Sequence, residues 1–284
     1  MNKRKKILIP CLATLICLGG AVNVNAESPS SNETQDNYYS EVTYYSGEKL
    51  RNIQPYDTES ENEVLVSAVE KTVYVSETKD DNGAVIDSHL MNVDEVKEYK
   101  NSLLTRDSTY MGEDKTSSGR LTIQIQLFRD GSTYRAYGNA NWAIGAGTSA
   151  QAPSTGLDFV ALTWGGNNNL VQTSKSLSIT NFNGQAMSYG QAKADSYSGY
   201  CWSFNESVGG KDMRSLQATA QIKRVNSTLK NKQTNMKFTY IHTYQSTTGS
   251  ISFGAGSSGL AGSVNLSSTA SKWQLEVDVP GIVY

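Results

Sequence analysis

Thiols and imidazoles are scarce here. The chain of 284 residues has three cysteines and two histidines. Cys11 and Cys17 lie in an N-terminal segment with the marks of an export signal, so the exported chain keeps Cys201 alone and has no intramolecular disulfide. No Cys-x-x-Cys pair, His-Glu-x-x-His motif or serine nucleophile elbow occurs. With one Cys and one His after Gly119, zinc is not expected there, and no cofactor is expected. No stretch beyond the leader approaches the roughly 20 apolar residues a spanning helix needs, and no Leu-Pro-x-Thr-Gly sorting signal occurs. A protein that is released or held non-covalently, without a transmembrane anchor, is expected.

The leader itself is clear. Met1-Asn2-Lys3-Arg4-Lys5-Lys6 is a basic head of bacterial type, Ile7 to Val22 is a short apolar body, and Val24-Asn25-Ala26 offers small residues for cleavage. Residues 1–26 read as a signal peptide, with the mature chain starting at Glu27.

The mature chain is asymmetric in charge. Residues 27–119 carry 20 acids and 8 bases; residues 120–284 carry 7 acids and 13 bases. Residues 27–62 are polar, acidic and poor in aliphatics, which predicts a disordered arm. Residues 63–105 predict a small α+β hairpin-helix element. Val73 and Val75 lie in a strand, Asp81-Asn82-Gly83 turns, Ala84-Val85-Ile86 returns, and Asn92 or Asp94 caps a helix bearing Val93, Val96 and Leu103. Residues 106–119 read as a linker.

From residue 120 the period is two. Leu121, Ile123, Ile125 and Leu127 share one face; Tyr134, Ala136, Gly138, Ala140 and Trp142 share the next. Leu157–Trp164, Leu177 and Ile179, Tyr200–Phe204, Leu216–Val225, Met236–Tyr244 and Trp273–Val279 continue the pattern, with Gly/Asn turns between them. The fold class is all-β over 120–284: an antiparallel sandwich or an elongated twisted sheet.

Three functional readings follow in order. The first is a secreted, non-enzymatic β protein that binds an acidic cell-wall polymer, anionic lipid or another protein. Its contact set is Lys211, Arg214, Lys223, Arg224, Lys230, Lys232 and Lys237, seven bases within 27 residues against Asp212 alone. Nucleic acid is not expected for an exported chain with no base-stacking module. The second is a membrane-active or pore-forming protein using the uncharged hairpin 249–268, with Ile251, Phe253, Leu260, Val264 and Leu266 on its apolar face. The third is a carbohydrate-active enzyme, which needs opposed carboxylates. Asp195, Glu206 and Asp212 are its candidates; Asp130 reads as a turn and Asp158 as a strand start. His242, on a face with Phe238, Tyr240 and Tyr244, reads as a packed residue, as does Cys201.

Overall fold

The computed structural model describes residues 38–52, 62–82, 85–105, 116–143, 157–208, 211–225, 232–244, 249–254, 260–268 and 271–284. The expected signal peptide, the expected linker up to residue 115 and Lys230 lie outside the described residues.

In chain order the elements are β1 Ser40–Tyr45, β2 Val64–Lys79, β3 Val85–Leu90, α1 Val93–Thr105, β4 Thr116–Asp130, β5 Thr133–Ala143, β6 Asp158–Trp164 and β7 Leu170–Asn181. Then come β8 Tyr189–Asp195, β9 Gly199–Phe204, β10 Ser207–Val208, β11 Lys211–Arg224, β12 Gln233–Thr243, β13 Gly249–Phe253, β14 Val264–Ser268 and β15 Lys272–Val283. A large sheet runs β1-β2-β4-β5-β11-β10, with β3 on β2 and β7 on β11. A small sheet runs β15-β12-β6-β9-β8, and β13-β14 stands as a separate hairpin. The pairings between these strands are antiparallel.

Alternation explains the layers. Leu121, Ile123, Ile125 and Leu127 are completely buried, and they face Val160, Leu162, Phe238, Leu275 and Val277 of the small sheet. Three tryptophans, Trp164, Trp202 and Trp273, join this core, and Trp142 packs at its margin. Gly131, at a φ of 58°, supplies the left-handed residue that the β4–β5 turn requires.

The hairpin is a third layer. Val264 and Leu266, with half-buried Ile251 and Phe253, cover Phe159, Ala161, Cys201 and Ile241 on the outer face of the small sheet. Thr163 Oγ1 donates to the Gly262 carbonyl at 3.0 Å, and the Ala261 N–H donates to Asn235 Oδ1 at 2.7 Å.

The strands of residues 63–105 are built into the large sheet. β2 runs for 16 residues, from Val64 to Lys79. It pairs with β4 from Arg129 to Thr116, so Thr116–Gly119, expected as linker, begin β4. β1 and β3 share the other edge of β2, so Ser40–Tyr45, inside the stretch expected as an arm, forms an ordered edge strand. Backbone pairing and aromatic packing of Tyr39 on Tyr74 outweigh the polar composition there. The helix α1 starts as expected. Asn92 Oδ1 accepts from the N–H groups of Asp94 and Glu95, and Glu95 Oε2 accepts from the Asn92 N–H at 2.7 Å, a reciprocal cap. Val96 is its buried contact, whereas Val93 is exposed.

The two sheets approach closely at Gly138, where an added Cβ would overlap the Phe238 ring. Gly138→Ala is expected to destabilise the fold by about 1–3 kcal/mol through overpacking. Phe238→Leu in the same chain is expected to recover part of that loss. Guanidinium unfolding of the single and double variants checks both.

Candidate functional site

Polar groups converge at one end of the inter-sheet core. On β12, Met236, Phe238 and Tyr240 face inward, and His242 continues that face with its side chain 1% exposed. On β6, Asp158 shares parity with Val160, Leu162 and Trp164, and it is fully buried. Glu206 follows β9 in the parity of Tyr200, Trp202 and Phe204. Three strands therefore deliver Asp158, Glu206, Tyr240 and His242 to one place.

The geometry is tight. His242 Nδ1 lies 3.1 Å from Asp158 Oδ2 and 3.0 Å from Glu206 Oε2. The Tyr240 hydroxyl lies 3.1 Å from Asp158 Oδ2 and 2.9 Å from Glu206 Oε1. The Thr243 N–H donates to Asp158 Oδ1 at 2.8 Å. On its far side, His242 Nε2 is 3.3 Å from Glu77 Oε1, which belongs to β2 of the large sheet. That contact is an ion contact, because Nε2 makes no aligned hydrogen bond. Ser88 donates to Glu77 at 3.4 Å and accepts from Trp273 Nε1 at 2.9 Å. The Trp273 ring packs 4.8 Å from the imidazole, centroid to centroid.

Electrostatics follow from burial. For His242, burial disfavours the charged ring, but the Asp158 and Glu206 charges outweigh it and hold its pKa well above 6.5. Burial, and then the Asp158 charge, raise the Glu206 carboxyl above its ordinary 4.5. Burial, with Glu206 and Asp158, also raises the Tyr240 phenol well above 10.0. At neutral pH the imidazolium is thus the fixed positive charge of the cluster.

Such a cluster can hold a proton or a cation; it is poorly built for sugar cleavage. Asp158, Glu206 and His242 bring their ligand atoms within 4.8 Å of one another. Glycosidase carboxyls stand about 5–5.5 Å or 6.5–9.5 Å apart across an open cleft. Here both carboxylates share one nitrogen and one hydroxyl, and Asp158 is sealed.

Of the carboxylates expected from the sequence, only Glu206 joins this centre. Asp195 is exposed and accepts from the Tyr197 N–H in the β8–β9 turn, at the opposite end of β9. Asp212 pairs in register with Ser207 at the start of β11. Asp158 and His242, read as a strand start and a packed ring, are its buried members. Their shared parity with core residues was the signal in the sequence.

The basic residues that are described lie on both sheets. Lys211 begins β11; Arg214 and Lys223 are exposed on that strand. Arg224 turns to the other sheet and donates to the Val283 carbonyl at 3.0 Å. Lys232 is exposed where its backbone pairs with Tyr284, and Lys237 is held by Glu276 at 2.7 Å on the small sheet. In the hairpin, Val264 and Leu266 are buried and Leu260 is 45% exposed. Cys201 is buried without exposure, and burial pushes its thiol up to about 12. Among the described residues, no helix is long and apolar enough to cross a membrane.

The fold and site together define an antiparallel β-sandwich with a buried carboxylate–imidazole–phenol centre. No family model matches the chain, and no curated protein matches it. Among solved structures the chain is similar to the KRT10-binding region domain of the pneumococcal serine rich repeat protein PsrP. Identity is 14% and the TM-score 0.27, over 62% of this chain and 87% of that one. It is also similar to the C-terminal domain of the Streptococcus agalactiae AgI/II polypeptide BspA, at 8% identity and a TM-score of 0.24, over 83% and 99%.

The centre has a pH signature. Both His242 and Glu206 have folded pKa values above their ordinary ones, so the folded state binds more protons than the unfolded. Their contribution to stability is fully present at low pH. It falls above 4.5 for Glu206 and above 6.5 for His242, until each folded pKa is passed. In metal-free buffer, Glu206→Gln is expected to flatten the fall between pH 4.5 and 6.5 and to reduce, without abolishing, the fall above 6.5, because Asp158 still raises the His242 pKa. Denaturant titrations across pH 4–9 check this.

Proposed function

We propose that the chain is an exported, non-enzymatic all-β protein that binds an anionic partner at the cell surface, either an acidic polymer or a protein. One observation carries this reading. Asp158 and His242, the acid and base that could do acid–base work, are buried in the core, while Arg214 and Lys223 stand exposed on one strand. Catalysis requires that substrate reach the acid and base; Asp158 and His242 are out of its reach. The strand β11 offers its cations without intrinsic partners of opposite sign on the same strand beyond Asp212.

Arg224 and Lys237 are engaged within the fold, so the binding contribution rests on Arg214, Lys223 and Lys232. The hairpin reading has less support. β13 and β14 have five residues each, whereas a membrane-spanning strand needs about 9–11. Insertion would also uncover Phe159 and Ile241.

Arg214→Glu/Lys223→Glu is expected to unfold within about 0.5 kcal/mol of the parent, because both sites are exposed. It is expected to lose most low-salt binding to cell-wall preparations and anionic vesicles, with the parent's binding fading as salt rises. Equal binding by both proteins would sink this reading. Dye release from the vesicles by the parent would favour the hairpin reading instead.

A further inference from the structure

The buried centre has more acid than its single imidazole balances. Asp158, Glu206 and Glu77 all converge on His242, two on Nδ1 and one on Nε2. One Nδ1–H can align with only one acceptor, yet two carboxylate oxygens stand at 3.0 and 3.1 Å from it. Those separations have a second meaning. A metal ion with bonds of about 2.1 Å sets its neighbouring ligands about 3.0 Å apart at the right angles of an octahedral ion such as manganese, and about 3.4 Å apart at the tetrahedral angles of zinc. The Nδ1···Oδ2, Nδ1···Oε2, Oη···Oδ2 and Oη···Oε1 distances fall between 2.9 and 3.1 Å.

We propose that Asp158, Glu206 and His242 Nδ1, assisted by the Tyr240 hydroxyl, bind one divalent first-row transition metal ion, such as zinc or manganese.

An independent observation lies behind the ring. His242 Nε2 is buried without an aligned hydrogen bond, and it faces Glu77 Oε1 at 3.3 Å. A carboxylate behind a ligating histidine fixes the ring's orientation and makes its other nitrogen a better donor. Glu77 is itself held by Ser88, which Trp273 holds in turn. The donor set selects the class of metal. An imidazole nitrogen among carboxylate oxygens suits zinc or manganese, whereas calcium and magnesium prefer oxygen alone. Glu206, 13% exposed in its side chain, is the member nearest to solvent and gives the ion its way in.

The ion would act as a staple. The exported chain has a single cysteine and no disulfide, and this site joins β6, β9 and β12 directly and β2 through Glu77. A ligand that binds only the folded chain raises its melting temperature in proportion to the logarithm of its concentration.

The test uses the full chain without an affinity tag, stripped with a chelator and dialysed. Zinc, manganese and calcium are titrated separately by calorimetry, with metal analysis of the loaded protein and thermal melts. The parent is expected to bind one zinc or manganese per chain and to melt higher with it. Glu206→Gln keeps the shape and one acceptor oxygen, while its amide nitrogen can only donate. It is expected to gain little melting temperature from zinc or manganese over its own stripped form and to bind at least tenfold more weakly, on the order of other altered metal ligands and their partners. Glu77→Gln, which touches no metal, is expected to weaken binding by roughly 10–100-fold. Absence of stoichiometric zinc or manganese binding by the parent would overturn the proposal, as would calcium binding alone. Equal zinc affinity in Glu206→Gln would place the ion elsewhere and overturn it as well.

Discussion

Burying an imidazole between two β-sheets is the constraint on which this end of the sandwich depends. His242 is 1% exposed, and the surrounding aromatics exclude water from it. A charge in that position is tolerated only with counter-charges at hydrogen-bond distance. Removing one partner of such a buried pair costs about 3–5 kcal/mol. Asp158 comes from the same sheet as His242, and Glu206 from the link between β9 and β10, where its carbonyl accepts from the Met213 N–H of β11. Glu77 comes from the other sheet, and its contact with Nε2 makes the ring a tie between the layers. Trp273 and Ser88 extend the tie from the small sheet back to β3. The packing of hydrophobic residues supplies most of the stabilisation; this chain of polar contacts fixes how the sheets are set against each other at one end.

The charge asymmetry of the sequence takes on a structural meaning in this light. The acidic half contributes partners to the basic half inside a shared fold. Glu63 meets Arg135 at 3.3 Å with both side chains under 10% exposed, Glu70 accepts from Gln124 at 3.0 Å, and Glu77 meets His242. These contacts run through β2, which sits between β1 and β4 in the large sheet. The opposite charges of the two halves thus partly complement one another across strand pairs, where they are shielded from solvent.

Much of the β architecture was legible because period-two alternation reports directly on burial. Leu121 to Leu127, Leu216 to Ile222 and Trp273 to Val279 each turn every second residue inward, as their pattern requires. Composition misled where tertiary pairing decides. Ser40–Tyr45 is polar and acidic, yet it forms an edge strand because β2 offers it an unpaired edge and Tyr39 and Val42 find aromatic and apolar contacts. β8, Tyr189–Asp195, has no apolar alternation of its own, since nearly all of it is exposed, and only pairing to β9 makes it a strand. The centre was half legible. Asp158, Glu206 and His242 each carry the parity of a core face, but they are separated by 48 and 36 positions along the chain, and only strand order brings the three together. Counting histidines gave no sign of the centre; the convergence of the one buried histidine with two acids was beyond the reach of counting.

The account stands most directly on the link between the sheets through Glu77 and His242. A double-mutant cycle with Glu77→Gln and His242→Gln, read by guanidinium unfolding at pH 6, measures that link alone. A coupling energy of about 1–3 kcal/mol is the result expected of residues that share one polar network. Additivity within about 0.3–0.5 kcal/mol, the behaviour of independent sites, would show that the imidazole does not join the two layers.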